Sequence, residues 1–383
     1  MEMTRQRALQ SLAGGIVCLA MVAGAQTPTT ESTPSPTPAP AAAPAPVWSA
    51  GSIDFSGFVD GYYSYNFNRP GSQTNQLYNF DDATGFSLEA AKLTMNHDAD
   101  PIGAHVDLLW GRTNAFLHSS TDTTDNFVEQ AYISIKPPKA KGFELDAGQF
   151  VTSAGQEVIE TMNNWSYSHG ILFGYAIPYY HFGLRTTMPV TKSWTAGVQL
   201  VNGWNNVVDN NGGVTVGLTS SVVKPKYTWN LNYYTGPENS GTQKGYRNLI
   251  DTTLLLTPTS KFNMYVNYDY GQNHASTTSP LSQHSPHWQG VAVSARGQVT
   301  SNAALVARYE HFLDNQGFAT GLAQKLNEFT ATYEYKWAAG LLMRSEYRRD
   351  WSDQAFFSKG DTNAVKAQST LTMGLVAFFG PKR

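Results

Sequence analysis

From Ser52 onward, apolar and polar positions alternate with a period of two, and turn-forming residues break the alternation at intervals. Tyr227, Trp229, Leu231 and Tyr233 fall on one side of such a run, with Thr228, Asn230 and Asn232 on the other. Phe262, Met264, Val266, Tyr268 and Tyr270 alternate with Asn263, Asn267 and Asp269, and Phe329, Ala331, Tyr333, Tyr335 and Trp337 with Thr330, Thr332, Glu334 and Lys336. Met343, Ser345, Tyr347 and Trp351 alternate likewise with Arg344, Glu346, Arg348 and Asp350. A period of two is the side-chain repeat of a β-strand. Aromatics on one face and ionisable or amide groups on the other call for two solvents, which a lipid exterior and a watery lumen supply. A soluble sandwich with one wet face is the alternative.

The same rule predicts strands near 52–68, 85–98, 101–111, 125–137, 141–151, 177–190, 193–204 and 212–223. The second half adds 226–237, 246–257, 261–272, 287–300, 303–314, 323–337, 339–352 and 364–379. Their connections alternate in length. Short ones fall at Ala99-Asp100, Lys139-Ala140, Thr191-Lys192, Lys224-Pro225, Thr259-Ser260, Ser301-Asn302 and Ala338. Long ones centre on 70–84, 112–124, 152–176, 205–211, 238–245, 273–286, 315–322 and 353–363. Outer-membrane barrels have short periplasmic turns and long external loops, and an even strand number brings both termini to the periplasm. A soluble sandwich has no reason to sort its loops this way. The expected fold is therefore all-β, a transmembrane antiparallel up-and-down β-barrel of about 16 strands over residues 51–383.

Two segments precede it. Residues 1–25 read as a signal peptide: Arg5 and Arg7, an apolar stretch from Leu9 to Val22, then Ala23-Gly24-Ala25 as the cleavage pattern. Residues 26–50, dominated by Pro, Thr, Ser and Ala, read as an extended disordered linker. The single cysteine, Cys18, lies in the signal, so the mature chain is expected to have no disulfide, thiol chemistry or cysteine metal site.

Composition sharpens the membrane reading. Charged residues make up 14% and aromatics 13%, where a soluble domain carries roughly a quarter charged. The mature chain has no apolar run near the ~20 residues that a membrane helix needs. A net charge of −3 gives no case for nucleic-acid binding.

The 152–176 segment is the third long connection and carries Val158, Ile159, Trp165, Ile171, Leu172 and Phe173, which a freely solvated loop would not favour. Ser153 with Gln156 matches a capping box and predicts a short helix. General porins fold their third loop inward, its acids facing wall bases across a constriction. Similarity to them implies Glu157 and Glu160 as loop acids and Arg185, Arg296, Arg308, Arg344 and Arg348 as wall bases. The competing reading pairs these arginines within the wall, Arg308 with Glu310 or Arg344 with Glu346. The last strand, Thr370 to Phe379, places Leu371, Met373, Leu375 and Phe379 outward with Gly374 between them. It resembles the sorting signal read by the barrel-insertion machinery, except that Gly380-Pro381-Lys382-Arg383 follow the final aromatic. Trp110, Trp194, Trp204, Trp288, Trp337 and Trp351 fall near strand ends, as interfacial girdles would.

The run Gly57-Phe58-Val59-Asp60-Gly61-Tyr62-Tyr63-Ser64-Tyr65-Asn66, followed by Asn68-Arg69-Pro70, resembles the start of the putative β-barrel porin-2 family. So do Gly148-Gln149-Phe150, Gly155 to Glu160, Asn164, Ser166-Tyr167-Ser168 and Ala176 to Arg185. The resemblance spans roughly residues 52 to 379 and implies an outer-membrane porin-like barrel of Gram-negative bacteria.

The expected function is passive diffusion of small hydrophilic solutes through a polar lumen in the cell outer membrane. The expected partners are outer-membrane lipid, the insertion machinery, the solutes themselves and, as in general porins, two further copies in a homotrimer. No cofactor or metal is expected, and no enzyme activity. A receptor or adhesin barrel and a barrel-embedded hydrolase are the alternatives. For the hydrolase the sequence offers His105 with Asp107 on one strand face, without a nucleophile elbow. For loop metal binding it offers His274, His284 and His287.

Overall fold

The computed structural model describes residues 51–118, 127–274 and 285–381. The strands are β1 (Asp54–Asn66), β2 (Gly85–His97), β3 (Ile102–Trp110), β4 (Val128–Ile135), β5 (Glu144–Val151), β6 (Tyr180–Thr191), β7 (Trp194–Val201), β8 (Thr215–Lys224) and β9 (Tyr227–Pro237). They continue as β10 (Tyr246–Leu256), β11 (Phe262–Asn273), β12 (His287–Gln298), β13 (Ala303–Asp314), β14 (Gln324–Ala338), β15 (Leu341–Ser352), β16 (Phe357–Lys359), β17 (Asn363–Val365) and β18 (Ala367–Phe379). All but β16 and β17 join one closed antiparallel barrel of sixteen strands, sealed where β1 pairs β18 from Gly57↔Phe379 to Asn66↔Thr370. The predicted strand number and antiparallel barrel are borne out. Among the described residues no helix is long and apolar enough to cross a membrane.

Closure explains why the sequence alternates so cleanly. Every strand edge is paired, so the backbone polar groups are satisfied without solvent on either side. Each side chain then answers only to its face. On β13, Arg308, Glu310, Phe312 and Asp314 are buried while Leu305 and Tyr309 are exposed. On β18, Leu371, Met373, Leu375 and Phe379 are exposed while Thr370, Thr372 and Val376 are buried. Connections alternate in length as expected: residues 339–340 join β14 to β15, with Gly340 at φ +83° in the tight turn, whereas 353–366 join β15 to β18.

The sequence reading departs from the structure in the connections. The 112–124 connection contains a short helix, α1 (Arg112–Leu117), and the 353–363 connection contains the β16–β17 hairpin. The helix predicted from Ser153 and Gln156 does not form. Ser153 Oγ accepts from Gln199 Nε2 at 2.9 Å, and the Gln156 N–H donates to Asn267 Oδ1 at 3.1 Å, so both partners of the supposed capping box are committed to strands. A 3₁₀ turn at Thr161–Asn163 and a helix α2 (Ile171–Tyr175) form instead. The girdle also fails at two tryptophans. Trp288 is 1% exposed, stacks on Phe318 and donates to the Ala176 carbonyl at 3.0 Å, and Trp204 packs edge-on against it. Gly271 makes room for the Trp288 indole, which a Cβ would overlap.

Candidate functional site

The segment between β5 and β6, residues 152–179, is closed at its base by the Thr152 N–H donating to the Tyr179 carbonyl at 2.9 Å. Many of its apolar side chains are buried, Tyr167 and Ile171 at 0% exposed and Leu172 at 2%, whereas Val158 stays exposed at 39% and Trp165 is half-buried. The buried ones pack with the 67–84 connection and α1, where Phe80 meets Phe116, Phe173 and Tyr179 at ring-centroid distances of 5.0, 5.6 and 5.2 Å. Burying each such ring contributes about 1.5–3 kcal/mol.

Polar residues on the buried face of the strands bind this segment's backbone and side-chain hydroxyls. Asp60 on β1 accepts from Tyr167 Oη at 2.8 Å and from Thr161 Oγ1. Arg344 on β15 donates to the carbonyls of Thr161 and Asn164 while its guanidinium is held by Glu334 at 2.8 Å. Glu346, two residues on, accepts from the N–H groups of Tyr167 (2.7 Å) and Ser168 (3.2 Å). Glu310 on β13 takes the N–H groups of Ile171 and Leu172, at the positive end of α2. Arg348 donates to the His169 carbonyl at 2.6 Å and to Asp350 at 2.9 Å. Across the ring, Asn232 on β9 donates to the Ser153 carbonyl at 2.9 Å. In the barrel order β9 stands eight strands from β1, the largest separation the ring allows.

The predicted site residues distribute as follows. Glu157 and Arg308 come together: Arg308 Nη1 lies 2.5 Å from Glu157 Oε1 and donates to the Ser168 carbonyl at 2.7 Å, while its Nε reaches Glu328 at 3.1 Å. Arg308 stands 3.9 Å from Glu310. Glu160 pairs not with an arginine but with Lys92 on β2, which also contacts Glu129 (2.6 Å) and Asp107 (2.8 Å). Arg185 pairs with Asp146 at 2.8 Å, not with either loop acid. Arg296 and Arg344 share Glu334, at 2.7 and 2.8 Å, so Glu346 is not the partner of Arg344. Gly374 leaves space for the Tyr167 ring, which a Cβ would overlap, and Phe379 faces outward in register with Gly57.

Burial pushes the Glu157 carboxyl up, but Arg308 and the Gly170 N–H outweigh it and hold the group below the usual glutamate range. Burial drives His169 the other way, below the usual histidine value, although Glu157 partly opposes the shift. A neutral His169 suits its place, Nε2 lying 2.9 Å from the Val158 carbonyl. Burial also raises Asp81, in the 67–84 connection, well above the usual aspartate range against the pull of Arg348.

Sequence reasoning did not identify Lys92, Asp60, Glu328, Glu334 or Glu346 as groups that hold this segment. Each stands on the polar side of an alternating strand, so the signal was present, but nothing in a single sequence distinguishes a wall group that clamps a loop from one that meets water. It also missed the 67–84 connection, whose Leu77, Tyr78 and Phe80 are buried. Three apolar residues in a loop were the available cue. The carboxylates of Asp107, Glu129 and Glu160 have oxygens within 4.8 Å of one another, a grouping that could hold a cation; Lys92 Nζ occupies that role. His105 Nε2 lies 3.0 Å from Asp107, with Asn96 at Nδ1 and the Tyr132 ring stacked on the imidazole. His274 accompanies Ser285 at 2.9 Å and His287 stacks near Tyr270, whereas His284 lies outside the described residues. Residues 1–25 and 26–50, expected as a signal peptide and a linker, also lie outside them.

The family described as putative beta-barrel porin-2, OmpL-like, matches residues 52–379. No curated protein matches by sequence. Solved structures do. An anion-selective porin from Comamonas acidovorans has a TM-score of 0.61 at 10% identity, over 86% of this chain and 99% of that one. The outer membrane channel DcaP of Acinetobacter baumannii gives 0.58 at 10% identity, over 85% and 97%. OmpT of Vibrio cholerae in its trimer form gives 0.57 at 15% identity, over 86% and 100%. At these identities the likeness is one of fold.

Proposed function

From the premise that this chain belongs to the putative beta-barrel porin-2 family, we propose that it is a passive diffusion pore for small hydrophilic solutes, narrowed by residues 152–179. One observation carries the reading. The same segment bonds Asp60 on β1 and Asn232 on β9, strands on opposite sides of the ring. A loop lying over the outside or standing up from the rim would not reach both, so the segment crosses the interior as a chord. The wall arginines are its anchors: Arg308, Arg344 and Arg348 each combine a carboxylate partner with a carbonyl of the segment. Rigid anchoring gives a pore a fixed cross-section, and charge at close quarters then sets which ions pass.

Export by the 1–25 signal, insertion through the β18 strand and assembly as a homotrimer belong to the same proposal; a trimer form of one structural relative supports the last. The test is conductance of the purified protein in a planar bilayer, with reversal potentials in a salt gradient. Stable ohmic steps are expected. Their absence would favour a second reading, a barrel closed by its own loops and used for binding. That reading draws on the buried Leu77, Tyr78 and Phe80, which place a second segment beside the first.

A further inference from the structure

Arg349 faces outward on β15, between the buried Arg348 and Asp350. The outward row of β18 is apolar from Phe379 up through Leu375, Met373 and Leu371, and turns polar at Ser369, the register partner of Arg349. From Leu341 to Arg349 the strand climbs about 20 Å at ~3.3 Å per residue and ~40° of tilt, against an apolar band of about 25 Å. Arg349 therefore sits at the upper edge of that band, on the side of the long loops. Beside it the β16–β17 hairpin and the start of β18 complete an outward cleft of ≈ 680 Å³, lined among others by Phe67, Tyr347, Arg349, Lys359, Lys366 and Ser369.

The cations of this cleft differ from those inside the barrel. Lys92, Arg308, Arg344 and Arg348 each hold a carboxylate. Arg349 donates to Ser369 Oγ at 3.2 Å and Lys366 to the Asp353 carbonyl at 2.7 Å; neither they nor Lys359 pair with a carboxylate among the described residues. Three cations without a carboxylate partner, above a strip of aromatic and aliphatic side chains, match an anionic headgroup above acyl chains.

We propose that this cleft binds the phosphorylated headgroup of an outer-leaflet glycolipid, with its acyl chains laid along Tyr347 and Leu371. The proposal rests on the reading of the chain as an outer-membrane barrel with its long loops outside. The continuous apolar strip favours a lipid over free phosphate, which would have no use for it.

The test uses the full chain in dodecyl maltoside micelles titrated with lipid A, bound lipid being counted by native mass spectrometry. The wild type should retain lipid A. The triple variant Arg349→Gln/Lys359→Gln/Lys366→Gln should bind it on the order of 100-fold more weakly, at about a factor of five per cation near the surface. Arg349→Lys, which keeps the charge, should retain most of the binding. Lys224→Gln/Lys226→Gln/Lys261→Gln, at the short-turn end, should bind as the wild type does. Equal binding by the first triple variant, equal binding of dephosphorylated lipid A, or displacement by equimolar inorganic phosphate would each overturn the proposal. Bilayer conductance of the same samples is read separately: lipid retention without conductance would strike the pore reading and leave this one standing.

Discussion

Replacing Arg308 with glutamine removes the central clamp of the proposed constriction. Arg308 is 1% exposed and joins Glu157 of the segment to Glu328 of β14, while also donating to the Ser168 carbonyl. Glutamine can replace one donor but not the charge, so two buried carboxylates lose their cation. Breaking a buried pair by deleting one partner costs about 3–5 kcal/mol, most of it the uncompensated charge left behind. Because strand pairing is untouched, that cost falls on the docked position of residues 152–179, and the undocked population rises by about 100-fold or more. The assay is single-channel recording: larger open-channel current fluctuations and a higher mean conductance are expected, with new chymotrypsin cleavage near Trp165 and Tyr167. A triple variant, Arg308→Met/Glu157→Gln/Glu328→Gln, removes the charges together and should recover much of the quiet conductance. If Arg308→Gln gave traces and cleavage indistinguishable from the wild type, the anchoring argument would be wrong.

Three other outcomes follow from the same geometry. His169 is held below its ordinary value, so its contribution to docking is complete above that value, near pH 6.5, and declines as pH falls beneath it; His169→Gln should flatten current noise against pH below about 6.5, and an unchanged profile would exclude the histidine. Gly374→Ala should displace the Tyr167 ring and cost about 1–3 kcal/mol of overpacking, visible as a lower melting temperature of protein refolded in detergent; a defect confined to assembly in cells would assign Gly374 to sorting alone. Lys92→Ala should leave Asp107, Glu129 and Glu160 without their cation, so millimolar Ca²⁺ should raise the melting temperature of the variant and not that of the wild type.

Much of the fold was legible because a closed barrel imposes a strict rule on every residue. Leu371, Met373 and Leu375 must meet lipid and Thr370 and Thr372 must not, so period and turn chemistry located all sixteen barrel strands. The candidate site was legible in part. The apolar residues of 152–176 marked a segment that seeks burial, and Arg308 with Glu157 emerged as a contact. Glu160 went to Lys92 instead, and Arg185 to Asp146, because residues on one polar face compete for partners whose distances depend on strands far apart in the chain.

The sequence by itself determined the barrel, its strand number and the two faces, since those follow from local alternation repeated along the chain. Tertiary structure alone decided which groups clamp the long segment, why Trp288 and Trp204 turn away from the girdle, and why Gly374 lacks a side chain. The physical reason is range. A strand's faces are set by neighbours one and two residues away, whereas Asp60 meets Tyr167 and Arg344 meets Asn164 only after the ring has closed.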